Sequence, residues 1–195
     1  MHDEIGIGTK DLASEPLAHG FEDASRGRSS SSKGVLLIDS HDYRVDLIGV
    51  DEKRGMLTAE EDGLREMEVA SPPEFGGPGR LWSPEHLLVA AVSSCLMTTF
   101  RSIASRSGVQ VLDYSDNAVG HLARGDDGFY SIETITLRPR IVIGEESNLD
   151  RAERVLAKAD DACLISRSVQ SKVVVEPVIT RLVDTPRAGA STVQG

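Results

Sequence analysis

The sequence is poor in the residues that most often identify a metal centre. Two cysteines, Cys95 and Cys163, and five histidines stand among its 195 residues, and no CxxC or HxxxH spacing joins any of them. Structural and catalytic zinc sites usually draw their ligands from such closely spaced pairs. We therefore expect neither a metal nor another cofactor.

Basic residues are also in the minority, with 21 Lys and Arg against 31 Asp and Glu and a formal net charge of −10. A nucleic-acid interface needs a basic surface to replace counterions at the phosphates. A surface that binds anionic lipid needs positively charged residues for the same reason. This balance predicts no nucleic-acid partner and no membrane surface partner.

Long apolar runs are missing as well. The longest, such as LLVAAVSSCLM over residues 87–97, are shorter than the roughly 18–20 residues that cross a bilayer. The first residues, MHDEIGIGTK, lack the basic and apolar regions of a secretory signal. We therefore expect the reducing cytoplasm, where a cysteine pair is more often catalytic or metal-binding than a structural disulfide.

What is present indicates one domain with a substantial core, since 39% of the residues are hydrophobic and 27% charged. Residues 1–34 mix Gly, Ser, Asp and Glu without a period and end in a serine run, which predicts a flexible arm. Residues 184–195 have a similar composition and predict a flexible tail. The domain itself is predicted over residues 35–183.

The first half of that domain predicts three strands and then a long helix. Residues 43–50, YRVDLIGV, alternate as a half-buried strand does, and two short strands follow near 55–58 and 65–69, joined by a turn at 61–63. Ser83 as N-cap, with Pro84 at the first helical position, starts a helix. Its apolar face, which includes Cys95, predicts a central buried position. A glycine ends it, and the face is expected to comprise Leu87, Leu88, Ala91, Val92, Ser94, Cys95, Thr99 and Ile103.

The second half predicts two strands, a helix and a strand. The two strands cover residues 109–123 and 129–143 around a hairpin loop at 124–128, and Pro139 suggests an edge or a bulge. A helix from about residue 148 carries Cys163 at the end of its apolar stripe, and a strand over 172–182 closes the domain. The order β-β-β-α-β-β-α-β predicts an α+β fold with antiparallel sheet.

Three motifs together resemble the OsmC/Ohr family of osmotically inducible and organic hydroperoxide resistance proteins. The helix SPEHLLVAAVSSCL, residues 83–96, is similar to the family's Asn/Ser-Pro-Glu helix with its cysteine. ACLISRS, residues 162–168, is similar to its Cys-Pro-x-Ser motif, with Leu164 where proline is usual. Arg54-Gly55, Asp62-Gly63 and Gly76-Gly77 follow the family's order upstream. The resemblance covers about residues 43–182.

The resemblance implies a fold, a reaction and its residues. The fold would be an intertwined homodimer in which antiparallel sheets wrap two long central helices. The chain would be a thiol peroxidase that reduces organic hydroperoxides and is recycled by a dithiol or lipoyl-type reductant. Cys95 would attack the peroxide, Cys163 would resolve the sulfenic acid as a disulfide, Arg54 would stabilise the thiolate and Glu85 would hold Arg54.

Physical chemistry adds reasons for these roles. A thiol with a pKa of about 8.5 is mostly protonated at neutral pH, and burial raises that pKa further, so Cys95 needs a nearby cation such as Arg54. Glu85 and Cys95 are ten residues apart, about 15 Å along a helix. One arginine can therefore serve both only where two helices meet across a dimer. Four apolar side chains near the site in sequence would favour organic hydroperoxides: Phe75, Leu81, Trp82 and Phe100.

Other interpretations stay open. Glu85 has a structural explanation in the helix dipole, and Trp82 can be a hydrophobic staple. A non-enzymatic OsmC-like protein could use a cavity at the dimer interface to hold an apolar ligand, with Cys95 and Cys163 as remnants or redox sensors. A different thiol-dependent reaction on the same scaffold is a third hypothesis.

Overall fold

The computed structural model of the protein describes residues 40–59 and 63–182. The arm and the tail predicted at the two termini lie outside these residues, and so do residues 61 and 62 of the predicted turn. The chain divides at Tyr43, and every described helix and strand belongs to the unit that starts there.

The unit begins with a three-stranded antiparallel sheet in the order β1-β2-β3. Its strands are β1 (Val45–Gly49), β2 (Arg54–Ala59) and β3 (Met67–Ala70). The three predicted strands are thus confirmed. The predicted burial of one face of β1 is wrong within a single chain, because all five of its residues are exposed, Leu47 by 64%.

The long helix α1 (Pro84–Arg106) begins and ends as predicted. The hydroxyl of Ser83 caps it by accepting a hydrogen bond from the His86 amide at 3.4 Å. Gly108, at φ 68°, follows its C-cap in the left-handed conformation that glycine tolerates. The helix is long and apolar enough to span a bilayer, contrary to the argument from run lengths, and 28% of that apolar window is buried.

α1 packs one stripe of five residues into the core, and this stripe is rotated from the predicted face. Leu96 and Phe100 are completely buried, whereas Ser94 is exposed and Cys95 is half-buried at the edge of the stripe. The full buried set of the helix is Val92, Leu96, Phe100, Ile103 and Ala104.

Each of the two long strands predicted after α1 is in fact two strands. They are β4 (Val111–Ser115), β5 (Val119–Arg124), β6 (Tyr130–Leu137) and β7 (Arg140–Ile143). Asp116 sits at the first break and reaches the second, because its carboxylate accepts hydrogen bonds from the Arg138 amide at 2.7 Å and from the Ser93 hydroxyl at 2.6 Å. The predicted hairpin loop is confirmed by the bond from the Gly125 amide to the Phe129 carbonyl at 2.8 Å.

The second helix, α2 (Leu149–Asp161), is capped by Asn148, which accepts from the Arg151 amide at 2.9 Å. Its predicted apolar stripe is confirmed, since Ala152, Val155, Leu156 and Ala159 are buried. The placement of Cys163 in this helix is wrong. The helix ends at Asp161, and Cys163 lies in the turn that follows.

The predicted last strand is also divided, into β8 (Lys172–Val175) and β9 (Val178–Arg181), at Pro177 and the residue before it. The two pieces join different sheets, in the orders β5-β6-β8 and β4-β7-β9. Both pair in parallel with their neighbours, so the expectation of antiparallel pairing throughout is wrong. The reason is the crossover through α2, which returns the chain in the same direction. The fold remains α+β.

Candidate active site

The two cysteines approach each other although they come from different elements. Cys95 lies in the middle of α1, and Cys163 lies in the turn after α2, where it is completely buried in the core. Both are free thiols close enough to shift each other's pKa, since hydrogen bonding with Cys163 lowers the pKa of Cys95 and the Cys95 sulfur raises that of Cys163. The fold thus brings the two cysteines into one neighbourhood, and their catalytic pairing stays a prediction.

The turn that carries Cys163 also supplies backbone donors to Cys95. The Cys163 amide donates back to Asp160, and the Arg167 amide donates to the Cys163 carbonyl, both at 3.1 Å. Backbone hydrogen bonding from Ile165 and Leu164 lowers the pKa of Cys95, and that from Ser166 lowers the pKa of Cys163. The geometry of this turn has no signature in the sequence.

These contacts set the two thiols apart. Partial burial raises the pKa of Cys95, but hydrogen bonds from the Ile165 amide, the Cys163 thiol, the Thr99 hydroxyl and the Leu164 amide outweigh it, and the pKa lies below its ordinary value. Burial raises the pKa of Cys163, and the neighbouring Cys95 sulfur raises it further. Cys95 is thus the better nucleophile, and Cys163 holds a proton beside it.

Arg54 belongs to another part of the molecule. Its guanidinium lies at the start of β2 and bonds Asp51 through Nε at 2.7 Å and Glu68 through Nη1 at 2.8 Å. These two carboxylates raise the pKa of Arg54. Among the described residues of a single chain, its ion pairs are with this local acidic pair, and its role as thiolate partner stays a prediction.

Glu85 lies in the first turn of α1, where the helix dipole favours a carboxylate. One of its oxygens, Oε2, is nevertheless buried without a hydrogen-bond partner in the part of the chain that the structure describes. A buried carboxylate oxygen without a donor is costly. The described residues of one chain supply no hydrogen-bond donor to this oxygen.

Glu85 opens onto a cleft of about 360 Å³ between α1 and the sheet that contains β5 and β6. Val89, Leu122 and Ile132 give the cleft an apolar wall, and Trp82 and His86 stand at its mouth. The rings of Trp82 and His86 contact edge to face, with centroids 6.3 Å apart. The cleft at this end of the helix thus combines an apolar wall with two carboxylates, Glu74 and Glu85.

The four predicted substrate residues are separated by the fold. Trp82 lines the cleft, and Leu81 lies beside it in a shallower depression. Phe75 packs edge to face on Tyr130 at 5.8 Å. Phe100 is completely buried and packs on Tyr114, which gives it a core position rather than a cleft position.

Sequence reasoning missed two groups around the cysteines. Thr99 lies one helical turn after Cys95, a spacing that could have identified its hydroxyl as a donor to that sulfur. Tyr114 on β4 has a phenolic oxygen that is buried without a hydrogen-bond partner in the described part of the chain, and burial together with Asp116 raises its pKa. Tyr114 packs against the core beside Cys163, and its ring stays neutral.

Comparisons with known proteins bear on the family and the fold of the chain. The family model described as OsmC-like protein matches residues 77–178, just over half of the chain. The uncharacterized protein YmaD of Bacillus subtilis (strain 168) is 28% identical over 116 residues, which are 58% of this chain and 77% of that protein.

Solved structures show the same fold. An OsmC-like protein of unknown function from Vibrio cholerae is 27% identical and superposes with a TM-score of 0.65 over 71% of this chain and all of that chain. An organic hydroperoxide resistance protein from Elizabethkingia anophelis gives a TM-score of 0.59 at 18% identity, over 74% and 100% of the two chains. The organic hydroperoxide resistance protein OhrB of Bacillus subtilis gives 0.52 at 17% identity, over 72% and 98%.

Proposed function

Because the chain belongs to the OsmC/Ohr family, we propose that it is a cysteine-dependent peroxidase that reduces organic hydroperoxides to alcohols. The single observation that carries this proposal is a pair of neighbouring free thiols whose pKa values are shifted in opposite directions. Hydrogen bonding lowers the pKa of Cys95, whereas burial raises the pKa of Cys163. A thiolate with an adjacent thiol is the arrangement that a two-cysteine peroxidase requires.

The first step would be attack of the Cys95 thiolate on the distal oxygen of the hydroperoxide. The S–O bond forms as the O–O bond breaks, and the alkoxide takes up a proton to leave as the alcohol. Cys95 becomes a sulfenic acid, oxidised by two electrons, and the hydroperoxide is reduced by the same two. The lowered pKa of Cys95 raises the fraction of nucleophile at neutral pH.

The second step would be condensation of the Cys163 thiol with the sulfenic acid. The S–S bond forms, and the sulfenic hydroxyl leaves as water with the thiol's proton. Because the two thiols are already neighbours, the step needs little movement, and it prevents further oxidation of Cys95. A small dithiol or a dihydrolipoyl group would then restore both thiols by disulfide exchange and leave as its own disulfide.

We propose that the complete site lies between two copies of the chain in a cytoplasmic homodimer. Glu85 Oε2 is buried without a donor, and Arg54 carries the kind of group that would satisfy it. The ten-residue separation of Glu85 and Cys95 on α1 prevents one arginine from serving both within a single chain. The exposed apolar side chains of β1 are a further surface that a second copy would cover.

The cleft beside Glu85 favours a second candidate function. Its volume of about 360 Å³ and its apolar wall are suited to a small apolar ligand. In that case the protein would bind such a ligand without turning it over. The two candidates differ in what Cys95 does, so one assay separates them.

The test is consumption of tert-butyl hydroperoxide with an excess of a dithiol reductant. The wild-type protein is expected to turn over, and Cys95→Ser to be inactive because the nucleophile is gone. Cys163→Ser should complete one turnover and then stop or over-oxidise. Wild-type consumption no faster than that of Cys95→Ser would reject the peroxidase and leave the binding protein.

A further inference from the structure

The cleft between α1 and the sheet of β5 and β6 combines an apolar wall with negative charge. Val89, Leu122 and Ile132 form the wall, and the carboxylates of Glu74 and Glu85 line the same cleft. The described residues that line it include no lysine or arginine. Two negative charges outweigh the roughly half positive charge of the nearby helix N-terminus. A ligand that is complementary to this lining is apolar and carries a positive charge.

The hydroxyl groups of the lining are already paired within the chain. The Ser83 hydroxyl bonds His86 Nδ1 at 2.8 Å, and the Ser93 hydroxyl donates to the Asp116 carboxylate at 2.6 Å. Glu85 differs, because its Oε2 is shielded from solvent and has no hydrogen-bond partner among the described residues. A carboxylate that is only partly hydrated attracts a cation more strongly than a fully solvated one. Glu85 is therefore the group of the cleft with which a cation would pair.

A close contact between α1 and β5 fixes one side of the cleft. A Cβ atom placed on Gly120 would lie 2.6 Å from Cγ2 of Val89 and 3.4 Å from Cγ2 of Ile132. These two side chains thus rest directly on the backbone of β5, where glycine leaves room for them. The contact holds the apolar wall in place, and the volume of about 360 Å³ is that of a site for a small ligand.

We propose that this cleft binds a small amine whose ammonium group pairs with the Glu85 carboxylate while its alkyl or aryl group lies against the apolar wall. Trp82 at the mouth is half exposed, and an aromatic ring attracts the same cation. The inference rests on the second candidate function and names the charge and chemical class of its ligand. In a homodimer, Arg54 of a second copy would compete for the same carboxylate, and the test distinguishes the two occupants.

The test is the binding of benzylamine and benzyl alcohol to the full-length protein at pH 7, measured by isothermal titration calorimetry. The two probes share one ring, and only the amine is charged at this pH. Wild type should bind the amine about tenfold more tightly, the scale of one hydrogen bond to a charged group. Glu85→Gln keeps the shape of the side chain and removes its charge, so the two probes should bind this variant alike.

Two control variants separate charge from shape. Leu122→Ala should weaken both probes and leave their ratio unchanged, because it removes part of the wall and no charge. Glu74→Gln should change the ratio less than Glu85→Gln, since Glu74 is exposed and water screens its charge. Equal binding of the two probes to wild type, or a preference for the amine that survives Glu85→Gln, would overturn the proposal. Amine binding to Arg54→Ala but not to wild type would also overturn it, by showing that a second copy occupies Glu85.

If Glu85→Gln does not fold, the wild-type protein decides by itself. The ¹⁵N–¹H resonances of Val89 and Leu122 should shift on addition of benzylamine, and shifts confined to residues outside the cleft would overturn the proposal. Binding of neither probe would refute the second candidate function together with the amine site. Because no measurement uses a hydroperoxide, the peroxidase and the amine site are confirmed or refuted separately.

Discussion

The β1–β3 sheet and the body from α1 to β9 differ in how well a single chain buries their apolar side chains. In the body, side chains from both helices and from the sheets bury one another, and the two cysteines meet inside this core. In the sheet, Leu47 and Ile48 are both 64% exposed. The comparison indicates that one chain brings its two cysteines together by itself, while no other described residue of that chain covers the exposed apolar side chains of β1.

The largest expected difference between the two regions is in the free energy of unfolding that a large-to-small substitution removes. Phe100→Ala removes a fully buried ring from α1 and should lower the free energy of unfolding by about 3–5 kcal/mol. Leu47→Ala on β1 is the matched control, and in an isolated chain it should cost almost nothing. Urea denaturation at two protein concentrations measures both.

A loss for Leu47→Ala that grows with protein concentration would indicate that β1 is covered by a second copy. A concentration-independent loss as large as that of Phe100→Ala would contradict the distinction between the regions, since it would place Leu47 in a core that one chain completes.

Subunit mixing tests whether the sheet of one chain serves the cysteines of another. Arg54→Ala should reduce hydroperoxide turnover roughly a hundredfold, the effect of removing one charge-stabilising donor, and Cys95→Ser should abolish it. If the site lies between chains, a heterodimer of the two variants keeps one intact site. Random mixing in equal amounts should then recover about a quarter of wild-type activity in a symmetric dimer.

Recovery depends on exchange, so the mixture is refolded together from denaturant, and wild type refolded alone provides the reference. If the refolded mixture contains heterodimers by native mass spectrometry but is no more active than its components, Arg54 acts within its own chain or not at all.

Removing the N-cap of α1 should have a smaller effect on stability, and this effect should not depend on the β1–β3 sheet. Ser83 is buried, and its hydroxyl accepts from the His86 amide and bonds His86 Nδ1 at 2.8 Å. Ser83→Ala should destabilise the protein by about 1 kcal/mol, while Ser83→Asp should retain the cap. Thermal unfolding of both variants measures this, and equal losses would show that the buried hydroxyl matters for packing rather than for capping.

The smallest expected change concerns the hydroxyl next to the nucleophile. Thr99 donates to Cys95, so Thr99→Val removes one of several donors at nearly constant volume and should raise the pKa of Cys95. Because the pKa is lowered in the folded protein, the thiolate fraction falls as the pH falls through that pKa. Alkylation of Thr99→Val should therefore be about threefold slower at neutral pH and unchanged at high pH.

Thr98→Val is the neighbouring control, because the Thr98 hydroxyl donates to the carbonyls of Ser94 and Cys95 rather than to the sulfur. Equal slowing by both substitutions would mean that helix packing, and not the hydrogen bond to Cys95, controls the thiol.

The sequence predicts local elements well where the signal is local. Ser83, Pro84 and Gly108 define α1, and the alternation of YRVDLIGV identifies β1. The prediction of an element fails where a contact between residues far apart in the sequence determines its ends. The strands after α1 are broken at positions that Asp116 ties together, a bond between residues 22 apart that no periodicity reveals.

The residues of the candidate site likewise fall into those that the sequence identifies and those that only the fold brings to the site. The cysteines can be identified by motif resemblance, and Thr99 by its helical spacing from Cys95. The amides of Leu164 and Ile165 cannot be predicted, because every residue except proline carries an N–H and only the turn determines where it points. The burial of Phe100 likewise depends on which stripe of α1 meets the sheet.

The most direct test of the account is the product of one equivalent of organic hydroperoxide with the fully reduced protein. After acid quenching, peptide mapping by mass spectrometry should find a single Cys95–Cys163 disulfide, with one alcohol formed for each disulfide. Free thiols at both positions, with the hydroperoxide still intact, would contradict the claim that these two neighbouring cysteines form a peroxidase site.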